Sequence, residues 1–449
     1  MTNRTRHSTL TALALALGVA ACSTSEMLDV QTPDQITPDK AASAVGAAAL
    51  RASAIGNFAA FYGGDYGGSF HGVNITSGML TDEIESARGG TEHLDSRAQN
   101  EAVQPLSTTW AFVGQSTTQT IRGIKALKEF ALESTAGEKA TKATQVGHLY
   151  ALQGFAYIIL GENYCSGIPV ANADDLDPKT DVLTTAQLFA RAQAYLDTAG
   201  TTLGSTAADQ PFRNLVAVGK GRVLTNLARY DDAATAVASV PTNFVFNVSY
   251  SGTSVVNAIY DWMNGTLNYA PADNEGGNGM DYISARDPRV TVIRNSAGEP
   301  TPRAGQDGAI HFTQTVFPLA GSPIPLATGV EARMIQAEAA LKSGDATAYL
   351  ARMNDARTTI ASLTPLADPG ATTAREDLLF RERAFWFWGT AHRLGDLRRL
   401  VKDYKRAATS VYPNGPYFKG GAYGTDVVLI PAQAERNNPD FQGCAATTP

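Results

Sequence analysis

Histidine and cysteine are scarce in this 449-residue chain, at six and three, and neither is arranged for chemistry. No His-x-x-x-His and no Cys-x-x-Cys occurs, so the usual zinc and dithiol spacings are missing. There is no Gly-x-Ser-x-Gly elbow and no glycine-rich phosphate loop ending in lysine. Positive charge is not in surplus: 36 Lys and Arg face 43 Asp and Glu, a net charge of -7, which argues against a nucleic-acid surface. Beyond residue 22 no apolar run reaches the ~20 residues that span a bilayer. These absences leave no catalytic residue, no cofactor and no resident metal to expect. With 44% hydrophobic residues the chain can bury a large core.

The first 21 residues are a different matter. MTNRTRHS carries Arg4 and Arg6 and no acid, and an apolar stretch of about a dozen residues follows from Leu10 to Ala21. A basic start, a short apolar core and small residues before a cut are the parts of a secretory signal. Val19-Ala20-Ala21-Cys22 resembles the bacterial lipobox, which implies cleavage before Cys22 and acylation of that cysteine. Two or three acyl chains anchor stably where one holds marginally. The expected organisation is a signal peptide at 1–21, a lipidated tether at 22–39 and one domain at 40–449 with a loop-rich insertion near 241–329.

Lipidation of Cys22 leaves Cys165 and Cys444. In an oxidising compartment they form a disulfide that pins the C-terminal tail, or else stand as two separate buried thiols. Both lie in glycine-flanked loop sequence (YCSG, QGCA), which favours the disulfide.

Apolar residues at helical spacing predict helices over 40–62, 106–133, 141–160, 186–203 and 215–240, the last broken at Ala228-Arg229-Tyr230-Asp231. EARMIQAEAALKSGDATAYLARMNDAR predicts a helix, a turn at Ser343-Gly344-Asp345 and a second helix, with Ala337, Ala339 and Ala340 allowing close approach. Further helix pairs at 141–203 and 374–405 extend a repeat of tetratricopeptide type. The fold class is therefore all-α: a tetratricopeptide-like helix-pair scaffold, an α/α superhelix, with long irregular loops. Within 241–329, NFVFNVSY and AIHFTQTVF are expected to form small β-hairpins. A connection of that length is more often functional than filler.

ERAFWFWGTAHRLGDLRRL, Glu382 to Leu400, resembles the C-terminal signature of the SusD/RagB family: Glu-Arg, an apolar helix face, then Arg-x-x-Asp-Leu-x-Arg at Arg393, Asp396, Leu397 and Arg399. VVLIPAQAERNNPDF is similar to the family's closing segment, MLDVQTPDQIT to its mature N-terminus, and AEAALKSGD with MNDAR to its internal repeat. The chain departs from the pattern at Trp386, Thr390 and Ala391, and its second and third cysteines are not general to the family. The resemblance implies an outer-membrane, cell-surface lipoprotein. It would capture a nutrient, usually a glycan, and work with a TonB-dependent (SusC-like) transporter, held to the membrane by its lipid anchor. Read from the residues alone, the signature is structural: Arg393, Asp396 and Arg399 sit three apart on one helix, and Phe385, Trp386 and Trp388 are core aromatics.

Sugars present flat apolar faces and hydroxyl edges, so their sites combine exposed aromatics with amide and carboxylate partners. FYGGDYGGSFHGVN and IYDWMNGTLNY have that composition. The candidate ligand contacts are Trp262 first, then Tyr260, Asp261, Asn264, Asn268 and Tyr269, with Tyr66 from the other loop. Asp82, Glu83 and Glu85 are read as a solvated acidic turn. DNEGGNGMD, 273–281, has oxygen ligands at alternating spacing for calcium but lacks the closing glutamate of an EF-hand loop, so a plain turn is the stronger reading. A peptide-binding scaffold is the alternative function.

Overall fold

The computed structural model describes residues 42–65, 71–102, 104–172 and 179–449. The expected signal peptide, Cys22 and the expected tether lie outside the described residues, as does Tyr66. The long helices are α1 (Ala44–Gly63), α2 (Gln104–Phe130), α3 (Ala136–Asn163), α4 (Thr185–Thr202), α5 (Gln210–Asn226), α6 (Gly329–Ser343), α7 (Ala346–Arg357), α8 (Thr372–Trp386) and α9 (Arg393–Lys402). They pack mainly as sequential pairs: α1 on α2, α3 on α4, α6 on α7, and α5 on the short helix Tyr230–Ala236.

Local chemistry explains the boundaries. Thr135 and Thr184 close capping boxes with Glu138 and Gln187, satisfying the first free N–H groups of α3 and α4. Ser43 and Asp345 cap α1 and α7 by accepting from Gly46 N and Ala348 N. Gly344, at φ 82°, ends α6 in the left-handed conformation that a Cβ would disfavour, so the turn at 343–345 falls where the sequence places it. Gly147, Gly154 and Gly161 recur every seventh residue of α3 and face α4. A Cβ on them would meet Leu203 at 2.7 Å, Leu196 at 2.8 Å and Phe189 at 2.8 Å.

The strands form four two-stranded antiparallel ribbons among the described residues: β1 (Ile84–Ser86) with β5 (Tyr269–Pro271), β2 (Ile168–Asn172) with β3 (Lys179–Leu183), β4 (Val245–Val248) with β8 (Ile324–Thr328), and β6 (Pro302–Ala304) with β7 (Ile310–Phe312). The run AIHFTQTVF contributes β7 and makes a local hairpin as expected. The run NFVFNVSY does not. Its strand β4 pairs with β8, Val245 opposite Thr328 and Val248 opposite Ile324. The 241–329 insertion is thus closed at its own neck, because the two segments that enter and leave the helical scaffold lie side by side.

The signature builds a buried ionic lattice. Arg393 clasps Asp82 through two bonds of 2.7 and 2.6 Å, and Arg383 clasps Asp396 through two of 2.8 Å. Arg399 reaches Glu338 and Asp396 at 3.0 Å each, and Glu382 receives both Arg289 and Arg357. The acidic turn is therefore corrected: Asp82 and Glu83 are wholly buried, not solvated. Glu83 accepts from Gly389 N at 3.0 Å, and its backbone oxygen accepts from Trp388 Nε1 at 3.1 Å. Burial, only partly offset by that N–H and by Arg393, pushes Glu83 up to about 8. Phe385 and Trp388 are core residues as read, whereas Trp386 is only half-buried. Cys165 and Cys444 form a disulfide across 279 residues, with Cα atoms 5.9 Å apart.

Candidate functional site

Four segments of irregular chain meet on one face: residues 84–97, 261–275, 302–312 and 413–424. Backbone bonds lock them together. Ala87 N donates to Asn268 O at 2.7 Å, Gln306 N to Leu267 O at 3.1 Å, Asp307 N to Ala87 O at 3.0 Å and Gly424 N to Ser96 O at 2.7 Å. Lys419 Nζ reaches Asp307 Oδ2 at 2.5 Å and ties the 413–424 loop to the β6–β7 hairpin.

The aromatic cluster of the 260–269 segment lies beneath this face. Trp262 is 1% exposed and stacks on His71 with centroids 4.4 Å apart; Tyr269 is fully buried, its hydroxyl 2.8 Å from His71 Nε2. Asn264 exchanges two bonds with Gln314, its Nδ2 to the backbone oxygen at 3.0 Å and its Oδ1 from Nε2 at 2.8 Å. Asn268 is buried and Tyr260 and Asp261 are half-buried. The expectation of an exposed platform at Trp262 is thus corrected. A short π-helical turn at Asp261–Gly265 points the indole inward, against His71 and under the Arg88 guanidinium 5.2 Å from its ring.

The ring that does face solvent is Phe418, 51% exposed, the one exposed aromatic side chain among the described residues. Its loop, NGPYFKGGAYG, has the same glycine–aromatic texture as the two stretches singled out from sequence. That texture was the available signal. Tyr417 and Tyr423 turn inward and anchor the loop: Tyr417 donates to Asp95 Oδ2 at 2.7 Å, and Tyr423 to Glu275 Oε1 at 3.0 Å. Asp95 Oδ2 also accepts from Ser86 N at 3.0 Å, and the buried Asp95 and Glu275 carboxyls share a hydrogen bond. Burial pushes Asp95 up to about 6 and Glu275 well above the usual carboxylate range. Burial and the neighbouring Asp95 push Glu85 up to about 8.

A rigidly seated, outward aromatic ring beside Lys419 and Asp307 suits a flat, hydroxylated ligand. Among the described residues no three His, Cys, Asp or Glu side chains are grouped to hold a metal ion. The carboxylates of the 273–281 stretch diverge: Asp273 accepts from Ile283 N, Ser284 N and Ser284 Oγ, Glu275 from Tyr423, and Asp281 from Arg381. That commits them to separate partners rather than to one calcium ion.

No family model and no curated protein matches the sequence. Solved structures do match. Surface glycan-binding protein A from Bacteroides uniformis superposes at a TM-score of 0.66 with 16% identity, over 89% of this chain and 100% of that one. A SusD superfamily protein from Bacteroides thetaiotaomicron gives 0.63 at 15% identity over 90% and 100%, and one from Parabacteroides distasonis 0.60 at 11% over 90% and 98%. At such identities the likeness is one of fold: this chain has the SusD-like, all-α fold.

Proposed function

We propose that a chain with this fold and this signature belongs to the SusD/RagB group and is a non-enzymatic nutrient-binding lipoprotein of the outer-membrane surface. It captures a glycan on the face built from 84–97, 261–275, 302–312 and 413–424, with Phe418 as the stacking ring and Tyr260 and Asp261 as further contacts. Trp262, Asn264, Asn268 and Tyr269 act beneath that face by holding it in shape. Cys22 carries the lipid, and the bound glycan is passed to a TonB-dependent, SusC-like transporter. The observation that carries the reading is the likeness, over 89% of the chain, to a surface glycan-binding protein. The exposed Phe418 in a loop that the buried Tyr417 and Tyr423 hold in place adds to it.

The test is an array of glycans and oligopeptides probed with the chain from Ser23 onward, beside Phe418→Ala and Trp262→Ala. Ring stacks between aromatic side chains contribute about 0.5–1.5 kcal/mol beyond area, which sets the scale for a sugar on Phe418. Binding to one glycan class, weakened ~10-fold in Phe418→Ala without loss of thermal stability, supports the reading. Peptide binding with silent glycans moves the helix-pair scaffold reading ahead.

A further inference from the structure

Behind the neck of the insertion, on the helical side of the β4–β8 ribbon, a cavity of about 390 Å³ opens between that ribbon, the start of α6 and the turn after α8. None of the residues that form the Phe418 face line it. Its mouth is set by Asn243, Val245 and Thr359, all exposed, and its floor by Glu331, Phe387 and His392, all buried. Phe244 and Trp386 supply apolar walls.

The floor is unusual in its polarity. Glu331 is 2% exposed, yet only one of its carboxylate oxygens is engaged, Oε1, by His392 Nε2 at 3.2 Å and more distantly by Arg222. The second oxygen has no donor among the described residues. His392 itself is fixed through Nδ1 by Thr390, 2.8 Å to its Oγ1, so the pair is held in one orientation. The neighbouring His392, Arg222 and Arg383 charges hold Glu331 below the usual carboxylate range despite its burial. The free oxygen opens on the cavity, and a charge-assisted bond to it is among the stronger hydrogen bonds.

We propose that this cavity is a second binding site, for a neutral molecule of one or two rings that offers a hydroxyl to Glu331 and an apolar face to Phe244 and Phe387. Three features select that class. The volume lies at the small end of ligand pockets, which run ~300–1,000 Å³, so an extended chain does not fit. The free oxygen offers an acceptor to a hydroxyl. A cationic ligand is disfavoured because His392 and Arg222 already face Glu331. Single sugars and cyclic polyols meet all three conditions.

The experiment is calorimetric titration of the full chain, purified in detergent, with glucose, galactose, N-acetylglucosamine and myo-inositol. It takes Phe418→Ala as the reference, so that the loop face does not contribute, and adds Glu331→Gln or Val245→Trp to it. Val245→Trp fills the mouth without touching the floor lattice, so it stays informative if Glu331→Gln folds poorly. The proposal expects one or more of these ligands to bind the Phe418→Ala chain, ~10-fold more weakly with Glu331→Gln and not at all with Val245→Trp. Silence from all four ligands in the Phe418→Ala chain, or binding there that survives Val245→Trp, overturns it. Binding by the wild type that Phe418→Ala abolishes overturns it too and leaves the loop-face reading standing, so the two sites fail separately.

Discussion

Arg393 is the side chain whose removal should cost most. Deleting it leaves the Asp82 carboxylate buried with only the Met280 N–H still donating to it. Breaking one side of such a buried pair costs ~3–5 kcal/mol. Arg393→Ala should therefore shift the urea midpoint of the full chain sharply down, and Arg393→Lys should recover only part of the loss because an ammonium cannot make the two-pronged contact. An unchanged midpoint would show the lattice to be decorative. The sequence displayed these residues openly but not their setting. Spacing put Arg393, Asp396 and Arg399 on one helix, which is correct for α9. It gave no hint that their partners, Asp82 and Glu338, come from distant segments, nor that the acidic turn at 82–83 is interior. Charge in sequence reads as solvent-facing unless its counter-charge is adjacent, and here the counter-charge is 311 residues away. Phe418 was missed for the converse reason: tryptophan draws attention ahead of phenylalanine, yet exposure depends on which way a turn aims the ring.

At the scale of elements, the α3–α4 pair makes a sharp contrast available. Gly154 faces Leu196, where an added Cβ would sit 2.8 Å from Cγ, whereas Gly114 in the middle of α2 has nothing within 4 Å. Overpacking costs ~1–3 kcal/mol, and replacing an interior helical glycine by alanine gains ~0.5–1 kcal/mol where space allows. Gly154→Ala should lower the melting temperature and Gly114→Ala should raise it. The same sign in both would refute the close-approach account. The disulfide gives a second element-scale prediction. Tyr164 and Cys165 lie against Leu429, and no side chain from Gln433 onward is buried. Cys444→Ser should leave the helical scaffold intact by circular dichroism while making the 433–449 tail the first site cut in limited proteolysis. Helix ends, the 343–345 turn and the cysteine pair were legible because each is written in local residues. The β4–β8 neck was not, since strand pairing across a long insertion depends on where the scaffold returns the chain.

For the molecule as a whole, pH is the informative variable. Glu83 and Glu85 titrate near 8 and Asp95 near 6 in the folded protein, each raised first by burial. Once unfolded they titrate near 4, so between about pH 4 and 8 the folded state holds more protons than the unfolded one and stability falls as pH rises. Groups held low, such as Asp396 and Glu331, act oppositely, but their contribution is lost only as pH drops below ~4. Thermal midpoints should therefore be higher at pH 5.5 than at pH 8.5, and Glu83→Gln should flatten the slope. A midpoint that rises with pH over this interval would contradict the burial of these carboxyls.

The clasp between Asp82 and Arg393 also sets the order in which the chain can mature. A nascent or partly translocated polypeptide that ends before residue 393 holds two acidic side chains destined for the interior and nothing to neutralise the first of them. It cannot complete its core, however much of the helical scaffold has been made. The last eighth of the protein thus works as a checkpoint on synthesis: truncated products stay open to proteases, and only chains finished through α9 can close.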